Sequence, residues 1–197
     1  STAIGANTEA SGSNSVAVGL ESTASAQDAI VVGEGSNAQS EKSLTVGSQA
    51  TNTGVKAIVI GYNSEATDGG AVAVGDTATS DGGVAVGEQC DVGSNAVSIG
   101  EQTTAQTNCT AVGAQATAEG AGQAFGVGAT STGLNSIALG VGANDNGVDH
   151  RLTVALDQNE TLRQESDGRL QTGPDSSNLE DVSTQTVTRR YAMNGGN

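Results

Sequence analysis

His150 is the only histidine in the chain, and no cysteine or second histidine stands near it. A zinc site or a histidine-based triad within one chain is thereby excluded, although a symmetry axis could gather three copies. Its position at a junction between two kinds of sequence reads as exposed. Asp68-Gly69-Gly70 and Asp81-Gly82-Gly83 raise the question of calcium, since acidic glycine-rich turns bind it in some repeat proteins. They lack the Gly-Gly-x-Gly-x-Asp pattern of those repeats, and Asp-Gly is the ordinary chemistry of a tight turn. Glu34, Asp76, Glu88 and Glu101 fall along one edge, where solvated carboxylates discourage edge-to-edge association. No nucleophile elbow, phosphate loop or carboxylate pair stands out. The residues predict no catalysis, no metal and no cofactor.

Cys90 and Cys109 are the only cysteines. They fall on different strands of different repeats, farther apart than the ~7 Å between Cα atoms that a disulfide tolerates. Two free thiols acting as small apolar side chains are expected, with an interchain bridge as the alternative.

The elements that carry these residues are set by a repeat. Gly12 to Gly19 reads Gly-Ser-Asn-Ser-Val-Ala-Val-Gly and recurs as Gly93 to Gly100 and Gly133 to Gly140. Aligned on the last glycine, the anchors are Gly5, Gly19, Gly33, Gly47, Gly61, Gly75, Gly87, Gly100, Gly113, Gly128 and Gly140, eleven copies spaced 12 to 15 residues apart. The residue before each anchor is aliphatic, from Ile4 to Leu139, and the position three before is apolar in all copies but those with Thr2 and Thr110. Residues two apart share one face of a strand, and β-branched types favour strand over helix.

At ~3.3 Å per strand residue, a repeat of this length is one coil: two short strands and two tight turns. Stacked ~4.8 Å apart, eleven coils make a body ~50 Å long. This reading places the Val and Ile columns in the core. It places the small, uncharged column between them outward: Ala17, Val31, Thr45, Val59, Ala73, Ala85, Ser98, Ala111 and Ala138. An exposed strip free of charge, in a chain with 22 acidic residues, is expected to be covered by copies of itself about a symmetry axis. A weakly apolar sheet left exposed is the alternative. The threonines, though frequent, do not fall into a regular column by count, as an ice-binding face requires.

The units resemble the head repeat of trimeric autotransporter adhesins, the YadA-like head, which reads roughly Asn-Ser-Val-Ala-Ile-Gly followed by alternating small residues. Asn14 to Gly19, Asn95 to Gly100 and Asn135 to Gly140 carry the resemblance, which runs from residue 2 to about 144. It implies an all-β, left-handed parallel β-roll assembled as a parallel homotrimer. The same roll also serves in virus tail and spike fibres, so fold does not fix function. The chain departs from the autotransporter plan in showing no leader before the first repeat and no coiled-coil stalk or membrane-spanning strands after the last. A chain of these residues alone is expected neither to export nor to anchor itself.

Net charge is −15. Residues 1 to 149 hold fifteen acids and two lysines, Lys42 and Lys56, and residues 150 to 197 hold seven acids and five arginines. So acidic a roll argues against nucleic acid or an anionic membrane surface as partner, and nothing predicts membrane insertion. Acid-rich, lysine-poor surfaces point to a halophilic setting, with an acidic fibre from an ordinary host as the alternative. Residues 1–147 are therefore read as the roll and 148–197 as a small β segment for capping or attachment. That segment includes a strand at Leu152 to Leu156, a hairpin turning at Asp167-Gly168, and Arg189 and Arg190 for an acidic neighbour. The expected protein is a non-enzymatic surface fibre or spike. The preferred setting is a virion surface, with other virion or surface proteins at the C-terminal segment and a host cell-surface glycan or protein as receptor. The alternative is the head of a cellular adhesin, at the extracellular cell surface. Leu20 and Tyr62, each directly after an anchor, are the candidate contact residues.

Overall fold

A computed structural model describes residues 1–147, 152–154, 161–164 and 170–173. Each coil gives one three-residue strand to a first sheet and one two-residue strand to a second. The first sheet has 12 strands and the second has 10, and neighbours within each are successive coils in parallel register, such as Val16↔Ile30 and Thr23↔Asn37. The expected parallel β-roll is the architecture found. Hydrogen bonds run from coil to coil, as from Val16 N–H to Ala29 O (2.9 Å) and from Gly33 N–H to Val18 O (2.8 Å).

The chain divides into two compact units, Ser1–Val154 and Ala155–Asn197. Leu152–Val154 joins the first sheet beside Ile137–Leu139, so that sheet continues beyond residue 147. In the second unit Thr161–Gln164 pairs antiparallel with Leu170–Gly173, as a hairpin there requires.

Two left-handed residues turn each coil. One follows the anchor by two, as at Gln49 (φ 59°), and the other precedes the next first-sheet strand by two, as at Lys56 (φ 60°). The anchor glycine answers a separate demand. Gly33 has φ +149°, and a Cβ there would lie 1.8 Å from the carbonyl oxygen of Gly47 in the next coil. The tenth anchor is Gly126 rather than Gly128: Gln123–Phe125 is the strand that pairs with Thr110–Val112. Gly128 (φ 66°) instead takes the left-handed position of its turn.

Four small side chains fill each coil. Ala29, Val31, Ser36 and Ala38 are buried in one, and Ala57, Val59, Ser64 and Ala66 in another. Where Gly83 leaves space, Cys90 and Val92 occupy it; a Cβ on Gly83 would lie 2.9 Å from Val92 Cγ2.

The two faces of the first sheet are therefore the reverse of the sequence reading. Ala17, Val31, Thr45, Val59, Ala73, Ala85, Ser98, Ala111 and Ala138 all point inward, with no exposed surface. They cannot form a surface between chains in this fold. The physical reason is the thinness of the coil. Two sheets joined by connections of three to five residues leave room for only two small side chains from each wall, so the β-branched columns are excluded from the interior.

Candidate functional site

The Val and Ile columns turned out of the roll make its most conspicuous surface. Ile30 is 41% and Val32 40% exposed, while Val31 between them is 0% exposed. The same alternation holds along the sheet, from Ile58 and Ile60 to Ile99 and Leu139. At ~4.8 Å per coil and ~7 Å between alternate side chains, the two columns cover about 50 Å by about 12 Å. That is on the order of 600 Å², the upper end of what a soluble monomer leaves open.

The second sheet presents the opposite chemistry. Its outward positions read Glu9, Thr23, Asn37, Thr51, Glu65, Thr79, Asp91, Thr104, Thr117 and Thr130. The threonines do form a column, with Thr104↔Thr117↔Thr130 in direct register. This corrects the expectation from residue counting. Glu65 and Asp91 interrupt the hydroxyls with carboxylates, so the face is a hydrated acidic strip and not the uncharged lattice an ice-binding face needs. A shallow groove of about 420 Å³ opens where Gly93 omits a side chain, lined by Asp81, Asp91, Thr104, Gln106 and Thr107.

The two Asp-Gly-Gly turns stack on each other, and each aspartate is engaged locally. Asp68 Oδ1 accepts from the N–H of Gly69 (2.6 Å), and Asp81 Oδ1 accepts from the Thr67 hydroxyl. Among the described residues no three His, Cys, Asp or Glu side chains gather as a metal site requires. Cys90 and Cys109 are free and buried, as expected of small apolar side chains; Cys90 Sγ lies 2.7 Å from Thr103 Oγ1.

Among the described residues one carboxylate is wholly inside. Asp145 is 0% exposed and accepts from Gly133 N–H (2.9 Å), Thr132 N–H (3.1 Å), Gly147 N–H (2.9 Å) and the Ser131 (3.2 Å) and Ser136 hydroxyls. Burial alone would raise its pKa. The Ser136 hydroxyl and the backbone N–H groups of Thr132, Gly133 and Gly147 outweigh burial and hold it well below the usual carboxylate range.

Leu20 (44%) and Tyr62 (51%) are exposed on the edge just after their anchors, apart from the aliphatic face. His150, Arg189 and Arg190 lie outside the described residues, as does the sequence-predicted turn at Asp167-Gly168. Sequence reasoning passed over one face residue, Gln123, because taking Gly128 as the anchor shifted that coil by two. The large apolar Phe125 directly before Gly126 was the signal available.

The YadA head domain repeat matches residues 1–22, 53–78 and 124–143. The chain carries YadA-like head repeats. Among solved structures, the collagen-binding domain of the Yersinia adhesin YadA is similar at 22% identity, over 76% of this chain and 70% of that one, with a TM-score of 0.42. No curated protein sequence matches the chain.

Proposed function

We propose that this chain is a non-enzymatic fibre domain whose rolls associate side by side through the outward Val and Ile columns, as a parallel homotrimer. The observation that carries the reading is the aliphatic face itself. A strip of this length exposed on an otherwise acidic chain costs roughly 25 cal/mol for each Å² of apolar surface left in water. Identical copies cover it most economically, and a cyclic arrangement in which one column of each copy meets the other column of its neighbour closes after a few copies. Three copies is what likeness to YadA-type heads implies.

In that assembly the threonine and acid strip of the second sheet, with Leu20 and Tyr62 at the edge, faces outward. Its function is adhesion: repeated weak contacts to a host-surface glycan or protein, multiplied by three copies. Residues 148–197, with Arg189 and Arg190, dock the fibre onto a larger assembly. The acidic composition, net −15, supports a virion spike or tail fibre in a salt-adapted setting. The YadA head match supports the second reading, the head of a cellular adhesin at the extracellular cell surface. Capsid or tail genes beside its gene would decide for the first; leader and membrane-anchor sequences in the same reading frame would decide for the second.

Sedimentation or light scattering of the purified protein in molar salt tests the association. Three times the 19.2 kDa chain mass is expected. A monomer would overturn it.

A further inference from the structure

On the aliphatic face, the ten first-sheet strands from Val16–Val18 to Ile137–Leu139 offer twenty outward positions, two each, and only Thr110 and Gln123 among them are polar. They are direct register neighbours in adjacent coils. Gln123 is exposed, and the same strand carries Phe125, the only phenylalanine in the chain. One layer of a strip that is otherwise aliphatic but for Thr110 thus holds its one amide and its one aromatic ring.

We propose that Gln123, with Thr110 beside it, sets the alignment of the copies along their length; this rests on the reading of the aliphatic face as the surface between copies. A strip that repeats every ~4.8 Å specifies its register poorly. Sliding one copy by a single coil loses the apolar contacts of only one end layer and leaves the rest in equivalent packing. An amide changes that balance. In a parallel, flush assembly the Gln123 side chains arrive in one layer, where each finds another amide or the face of a Phe125 ring as partner. Slipped by one coil in one direction, Gln123 of one copy comes level with Ile137 and Leu139 of the next, and its donors are desolvated without partners. Slipped in the other, it comes level with Val112 and Thr110, whose single hydroxyl cannot satisfy the amide. An antiparallel pairing sets it near Ile30 and Val32, with the same result. A single polar position in an apolar seam selects alignment at some cost in affinity.

Spin labels attached to a cysteine at position 62 (Tyr62→Cys) of the full chain, on the exposed edge, read the alignment. With Gln123 in place, dipolar spectroscopy in molar salt is expected to give one narrow distance distribution. Gln123→Leu is expected to keep the assembled mass and broaden the distribution into components spaced by coil steps. Gln123→Leu combined with Val97→Gln, which moves the amide two coils along the same column, is expected to restore one narrow component. An assembled Gln123→Leu with an unchanged narrow distribution overturns the proposal while leaving the association intact. A Gln123→Leu monomer also overturns it, by making the amide a source of affinity and not of alignment. A monomeric parent overturns the association reading itself.

Discussion

Asn52 and Asp145 occupy the same inward column of the roll and close the same local turn with opposite chemistry. Gly54 N–H donates to Asn52 Oδ1 (3.2 Å), and Gly147 N–H donates to Asp145 Oδ1 (2.9 Å). Beyond that shared bond, the Asn52 amide donates to the carbonyls of Leu44 (3.2 Å) and Ala57 (3.0 Å), whereas Asp145 only receives. Exchanging the two side-chain types makes each wrong for its surroundings. Asp145→Asn turns an amide N–H₂ toward existing donors and is expected to cost about 1–3 kcal/mol. Asn52→Asp aims a buried carboxylate at two carbonyl oxygens and is expected to cost more, about 3–5 kcal/mol. Denaturant midpoints of the two variants check the order.

Acid sensitivity follows from the same carboxylate. Its folded-state pKa lies below the unfolded value, so its contribution is fully present above the ordinary carboxylate range. It is lost as pH falls below about 4, where the unfolded chain takes up the proton first. Stability measured between pH 6 and 2 is expected to fall more steeply in the parent than in Asp145→Asn. Parallel curves would remove Asp145 as a source of the pH dependence.

Adjacent residues on one strand are expected to behave in opposite ways. Ile58 faces outward and Val59 is buried. Ile58→Asp should abolish association while leaving a folded monomer, with circular dichroism unchanged and mass reduced to one chain. Val59→Asp places an unpaired charge in the core and should cost at least about 3 kcal/mol, unfolding the protein.

Turn strain offers a stabilising change. Thr77 is β-branched at φ 52°, a conformation that costs about 1–2 kcal/mol for an L-residue. Thr77→Asn or Thr77→Gly is expected to raise the melting temperature by a few degrees. The reverse experiment at an anchor, Gly33→Ala, drives a methyl into the Gly47 carbonyl and should prevent that coil from closing.

The period, the anchor glycines and the parallel stacking were legible because each leaves a mark at fixed spacing. Which strand face is buried was not. Alternation is symmetric, and Val beside Ala suggests that the larger residue is core. Volume decides otherwise: Ser36 and Ala38 across from Ala29 and Val31 leave no room for Ile30 or Val32. The threonine column escaped plain counting because coils differ in length, yet Thr23, Thr51, Thr79, Thr104, Thr117 and Thr130 each stand four residues after an anchor. That rule holds for Thr130 only once Gly126 replaces Gly128. Asp145 carried no sequence signal. Its role depends on Ser131 and Ser136 lying beside it, a juxtaposition made by stacking alone.

The coil-to-coil direction of the hydrogen bonds, as in Gly19 N–H to Ile4 O (2.9 Å) and Gly33 N–H to Val18 O (2.8 Å), determines how the roll bears load. Tension between its ends pulls along those bonds and opens them one coil at a time, by peeling and not by shear. Each released coil of about 14 residues pays out ~45 Å of chain in place of ~4.8 Å of stacked height. Pulled single chains should lengthen in a series of small, nearly equal steps. A roll built this way yields gradually under load, dissipating work coil by coil.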